Sequence, residues 1–177
     1  MTRFALLLAA AVPLLAAAPA LAQVQSAPTP GCTATPAQLD ANRKVAIAFF
    51  RRGATVDDRL ALLDPGYIQH NPRFKKYAVD NKVSDIEAFK AVMAQGGGGG
   101  GGGAAPGGAA PPQGDPLAIV TAECDLVTIV HKNFRQDPTA APGTWFEAYT
   151  FDTFRVKNGK LTEHWDAAVI APPAPAR

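Results

Sequence analysis

Apolar positions in the first half of the chain recur at helical spacing. Leu39, Ala46, Phe49 and Phe50 fall on one face. Thr35 supplies the N-cap and Pro36 the first helical position, and the pattern runs out near Arg52-Gly53. Thr55 caps a second, short helix with Asp57 and Asp58 in its first turn, ended by Asp64-Pro65-Gly66. Tyr67 to His70 reads as a short extended piece stopped by Asn71-Pro72. Ser84 and Glu87 form a capping box for a third helix, whose Ile86, Phe89 and Met93 share a face. Beyond Asp115 the period changes to that of strands. Leu117 to Glu123 and Leu126 to Arg135 are joined by a tight turn at Cys124-Asp125. Trp145 to Val156 and Lys160 to Ile170 form a second antiparallel pair around Lys157-Asn158-Gly159. Helices first and a meander of strands afterwards predict an α+β domain, its helices on one face of a curved antiparallel sheet.

The remaining segments have no such period. Residues 1–22 have the form of a cleaved signal peptide: Arg3, an Ala/Leu/Val run, and small residues at Ala20 and Ala22. This implies a periplasmic or secreted protein. Residues 23–34 read as a disordered spacer and 172–177 as a disordered tail, which leaves one domain over 35–171. Within it, 96–115 begins with eight glycines, Gly96 to Gly103, and reads as a flexible loop. Whether that loop is a lid or neutral growth is left open. The formal charge of +2, one lower once Arg3 is lost, gives no electrostatic footprint for nucleic acid. Nothing suggests membrane binding after cleavage. In an oxidising compartment Cys32 and Cys124 could form a disulfide, a pairing that separation in sequence leaves open.

The last hairpin carries the candidate chemistry. A three-residue turn with Gly159 left-handed would pair Asp152 with His164 and Thr150 with Asp166. Alternation then puts Thr150, Asp152, Phe154, His164, Asp166 and Ala168 on one face, and Tyr149, Phe151, Leu161 and Trp165 on the other. A two-residue turn would shift the pairing by one and separate Asp152 from Asp166. The first face reads equally as the wet side of a sheet or as a pocket lining with a few ionisable groups among apolar ones. His131 reads as a hydrogen-bonded core residue or as part of that lining. Trp145 and Trp165 read as packing or interface residues. The three histidines show no ligand spacing, so no metal is expected.

Tyr67-Ile68-Gln69-His70-Asn71-Pro72 and the run Phe151 to Asp166 resemble the SnoaL-like polyketide cyclase family of the nuclear transport factor 2-like superfamily. The resemblance covers roughly Thr35 to Ala171. It implies a cone-shaped sheet wrapped around the helices, a deep and partly apolar cavity, and homodimers formed through the outer sheet face. It also implies Asp166 as the acid/base carboxylate, with Asp152 and His70 as catalytic partners and no cofactor. Tyr67, Asn71, His131, Phe154 and His164 are then ligand-binding candidates. The chemistry expected is proton transfer on a small carbonyl-bearing substrate, of the aldol, isomerase or dehydratase type. A non-catalytic ligand-binding protein or a dimerising interaction module is the alternative, because one fold serves many functions.

Overall fold

The computed structural model describes residues 27–95, 112–137, 139–141 and 143–166. The expected signal peptide, the glycine run, Ala168 and the C-terminal tail lie outside the described residues.

The elements run α1 (Pro36–Phe49), α2 (Val56–Leu60), β1 (Leu63–Gln69), α3 (Pro72–Asn81), α4 (Asp85–Ala94), β2 (Asp115–Glu123), β3 (Leu126–Gln136), β4 (Trp145–Lys157) and β5 (Lys160–Asp166). Capping boxes start α1 (Thr35 with Gln38), α2 (Thr55 with Asp58) and α4 (Ser84 with Glu87). Each satisfies backbone donors that a helix start would otherwise leave unpaired. Helix α3 was not read from the sequence. Asn71-Pro72 ends a strand, but it also starts this helix: the Asn71 side chain caps it and Pro72 stands at its first turn.

The sheet is curved and unclosed, in the order β1-β5-β4-β3-β2. It is mixed rather than wholly antiparallel, because β1 runs parallel to β5. A strand followed by two helices has no hairpin partner, and a long crossover returns the chain in the same direction. Asp64-Pro65-Gly66, expected as a helix stop, lies inside β1, where the register with β5 breaks between Leu63 and Ile68.

Helix α1 packs across β2 to β5, and α4 packs on β1. The core gathers Phe49 of α1, Phe89 of α4, Ile129 of β3, Phe154 of β4 and Leu161 of β5. Phe49 and Phe154 meet at 5.2 Å between ring centroids. Each such side chain, once buried, stabilises the fold by roughly 1.5–3 kcal/mol. No helix among the described residues is long and apolar enough to cross a membrane.

The β4–β5 hairpin departs from the expected register twice. Its turn has two residues, Asn158 and Gly159, both at positive φ (50° and 71°), as a type I′ turn requires. The register then shifts between Arg155 and Val156, where Thr162 and Glu163 together oppose Arg155. Pairing beyond this bulge is Phe154 with His164 and Asp152 with Asp166. Each irregularity moves the pairing by one, and two such moves restore the original face. Asp152, Phe154, His164 and Asp166 therefore share the inner face, although their partners differ from those expected. Leu161, expected on the face opposite these residues, precedes the bulge and is fully buried in the core.

Candidate active site

Alternation along β3, β4 and β5 brings His131, Asp152, His164 and Asp166 to the inner face. Neighbouring Tyr67 and Gln69 of β1 join them, with Asn71 at the head of α3. Asp152 sits between two imidazoles. Its Oδ1 accepts from His164 Nε2 at 2.8 Å, and its Oδ2 lies 2.8 Å from His131 Nε2. With Nε2 of His164 turned to a carboxylate, Nδ1 is the acceptor. It faces Gln69 Nε2 at 3.1 Å and the Tyr67 hydroxyl at 3.2 Å. Gln69 Nε2 also donates to Tyr67 Oη at 3.0 Å, and Gln69 Oε1 accepts the Asn71 backbone N–H at 3.0 Å. Asn71 Oδ1 caps α3 through Arg73 N at 2.8 Å, and Asn71 Nδ2 donates to Asp166 Oδ2 at 2.8 Å. The other Asp166 oxygen, Oδ1, is buried and has no hydrogen-bond partner among the described residues.

The two carboxylates differ in environment. Burial opposes ionisation of Asp152, but the close approach of His131 and the hydrogen bond from His164 outweigh it and hold its pKa below the usual value. Burial pushes Asp166 up, and the Asp152 charge adds to that, while His164 and the Asn71 bond only partly oppose it. Tyr67 is raised well above a normal phenol by burial, then by the charges of Asp166, Asp85 and Asp152, so it stays a hydroxyl.

Aromatic rings close the inner side of the cluster. Phe154 stacks on His164 with centroids 4.1 Å apart, and Phe50 meets His131 edge-on at 4.4 Å. Among the described residues, packing thus fills the inner side at both imidazoles, where the family resemblance implies a deep hollow. Phe154, expected to touch ligand, is fully buried here as core.

His70, expected beside the carboxylates, lies on the opposite face. It stacks flat on Trp165 (4.7 Å, 2°), and its Nε2 is 3.2 Å from Glu163 Oε2. Glu163 and Trp165 alternate with His164 and Asp166, which places His70 outside. Gln69 was not singled out in the sequence, although it is fully buried at the centre of the network. Its alternation with Tyr67 across Ile68 is the signal that would have found it.

The ligand atoms of Asp152, His164 and Asp166 lie within 4.8 Å of one another, a set able to hold a divalent ion. An ion there would displace the proton that His164 shares with Asp152.

The fold and site define an α+β protein with a buried carboxylate–imidazole network on the inner face of an open mixed sheet. Its resemblance is to the SnoaL-like and nuclear transport factor 2-like proteins. Among solved structures it is similar to IdmH from Streptomyces antibioticus, a proposed polyketide cyclase, with 17% identity over 71% of this chain and 90% of that one, TM-score 0.46. A second is a protein with a ketosteroid isomerase-like fold from Catenulispora acidiphila, in complex with trimethylamine, with 11% identity over 71% and 85% of the two chains, TM-score 0.43. A third is an NTF-2-like protein of unknown function from Burkholderia xenovorans, with 14% identity over 76% and 89%, TM-score 0.42. No protein-family profile and no curated protein matches the sequence. At these values the likenesses say nothing of chemistry, which is read from the residues themselves.

Proposed function

We propose that this chain is a cofactor-independent enzyme of the cyclase or isomerase kind, moving a proton on a small carbonyl-bearing substrate at Asp166. The observation that carries this reading is the Asp166 carboxyl: one oxygen held by Asn71, the other buried and unpaired, with ionisation disfavoured by burial. A base of this kind takes a proton from the carbon next to a carbonyl. The C–H electron pair moves to the carbonyl oxygen as an enolate, and Asp166 becomes a neutral acid. Returning the proton to another carbon isomerises the substrate. Attack of the enolate carbon on a second carbonyl instead closes a ring, and Asp166 returns its proton to the new alkoxide. Asp152 is a positioning residue here. It stays ionised between His131 and His164, orients His164, and its charge helps to raise Asp166.

The test is proton exchange by NMR, in heavy water, on a panel of small diketones with the full chain. Exchange above buffer is expected, with a loss of roughly 10²–10⁴-fold in Asp166→Asn. An Asp166→Asn protein as active as the parent overturns the assignment. Binding without exchange in the parent favours the ligand-binding alternative.

A Cys32–Cys124 disulfide suits an exported, oxidising compartment, as does the leader pattern of residues 1–22. Homodimers are proposed through the outer sheet face, where Ile119, Tyr149 and Phe151 are about half exposed and Ile119, Val130 and Phe151 stand side by side across β2, β3 and β4. Sedimentation of Phe151→Asp against the parent checks this: a parent dimer that becomes a monomer supports it, and a parent monomer at high concentration ends it.

A further inference from the structure

A cleft separate from the carboxylate cluster lies between the C-terminal half of α1 and the start of β2. It measures about 480 Å³ and is lined by Ile47, Ala48, Phe50 and Leu117, with Lys44, Arg51 and Arg52 completing its walls. That volume falls in the ~300–1,000 Å³ range of small-molecule sites. We propose that this cleft binds an amphipathic monocarboxylate, its alkyl body on the apolar residues and its carboxylate among the three cations.

The helix explains why such a face exists. Ala46 and Phe49 point α1 into the core, whereas Lys44, Ile47 and Ala48 recur at the spacing of a second, half-exposed stripe. Leu117 of β2 forms the opposite wall, and Phe50 extends the apolar surface. Charge decides the class of occupant. Three of the seven lining residues are cations and no carboxylate is among them.

The cations are also available. Among the described residues Arg51 pairs with exposed Asp58 at 3.6 Å, a pair of the kind worth little. With the Gln113 amide turned so that its oxygen faces Arg52, it accepts from both guanidinium Nη atoms at 2.9 and 2.6 Å, and this acceptor is neutral. A second hollow of about 570 Å³ shares Arg52 but contains Asp115, so it suits an anion less well. A neutral hydrocarbon would leave the guanidinium groups unused, and a small inorganic anion would leave the apolar walls wet. A molecule with both parts matches both features.

Phe50 lines the cleft and rests its ring edge on His131, so an occupant would sit one ring away from the imidazole–Asp152 pair. The site does not depend on the proton-transfer reading.

Calorimetric titration of the full chain with decanoate, and separately with decanol, tests the proposal. Saturable one-to-one decanoate binding is expected, with decanol at least about tenfold weaker. A Lys44→Glu/Arg52→Glu double variant, shown by circular dichroism to be folded, should weaken decanoate by about tenfold or more, and Leu117→Ser should weaken both probes. Asp166→Asn should leave decanoate binding unchanged. No decanoate binding to the folded parent overturns the proposal, as does equal affinity for decanol or indifference to the charge reversals. Loss of binding in Asp166→Asn alone would place decanoate at the carboxylate cluster and overturn it equally.

Discussion

Asp152 and Asp166 face each other across β4 and β5, yet their surroundings drive them in opposite directions. Divergence of this sort separates a structural anion from a working base. It also fixes the pH behaviour. Asp166 is held above its unfolded value, so between the two values the folded chain binds more proton than the unfolded chain. Its contribution to stability is present at low pH, is lost as pH rises through that window, and leaves a penalty above it. Asp166→Asn removes the charge at nearly constant shape. Its melting temperature at pH 7 should therefore rise, on the order of 1 kcal/mol or roughly 2–4 °C, while proton exchange falls. Differential scanning calorimetry at pH 7 checks this, and an unchanged or lower melting temperature contradicts a buried, strained carboxylate. Asp152 has the opposite sign: its stabilisation is present above the unfolded value and lost as pH falls through the lower folded one. Asp152→Asn takes away the buried anion beside both imidazoles and the charged acceptor of His164, and should cost about 1.5–3 kcal/mol in urea unfolding at neutral pH. A loss below about 1 kcal/mol would mean that neither contact stabilises the fold.

At the scale of elements, the β4–β5 hairpin shows what a sequence can and cannot disclose. Alternation made the shared face of Asp152, Phe154, His164 and Asp166 legible, because period-two patterning survives any even shift in register. The partners were not legible. An Asn-Gly pair supports either turn length until its strands are placed, and a bulge has no strong residue signature at Thr162. The helix after Asn71-Pro72 was hidden for a related reason: the same two residues end a strand and start a helix, and only packing of Phe74 and Ala78 shows that both occur. His70 was misplaced because the family resemblance placed it among the carboxylates, whereas plain alternation at the regular end of β1 buries Tyr67 and Gln69 and turns His70 to the other face. The bulge account makes a prediction that a plain reading of strand damage would not. Deleting Thr162 leaves Glu163 opposite Arg155 and His164 opposite Phe154, so the inner face is preserved. The bond from Thr162 Oγ1 to Arg155 O, 3.3 Å, is lost. The deletion variant should fold, about 1 kcal/mol less stable, with near-parental activity. A protein that fails to fold, or an amide–amide NOE pattern with His164 turned outward, would show that the register is set elsewhere.

For the molecule as a whole, the segment before α1 is tied to the far end of the sheet. Thr29 donates its backbone N–H to Asp125 Oδ1 at 3.1 Å and its hydroxyl to Oδ2 at 2.5 Å. Arg155 reaches Asp125 and Thr29 with one nitrogen, the Ala27 carbonyl with another and Glu163 with a third. The Cys32–Cys124 bond fastens this strap at the β2–β3 turn, where Cys124 has φ 53° and its Cα lies 6.1 Å from that of Cys32. Arg155 therefore couples the strap to the outer face of β5, beside Glu163 and the His70–Trp165 stack, while the reverse face of the same strand carries His164 and Asp166. A cross-link between residues 92 apart restricts the unfolded chain strongly, and its removal should cost about 2–5 kcal/mol. Urea unfolding of a Cys32→Ser/Cys124→Ser variant, compared with the oxidised parent, measures this, and the parent in reductant should match the variant. Because the polar contacts of Thr29 and Arg155 remain, the variant should still fold and keep its proton-exchange activity at temperatures well below its transition. Equal stability with and without the bond would mean that those contacts alone dock the strap. Loss of activity at equal fold content would instead mean that the strap governs the geometry of β5.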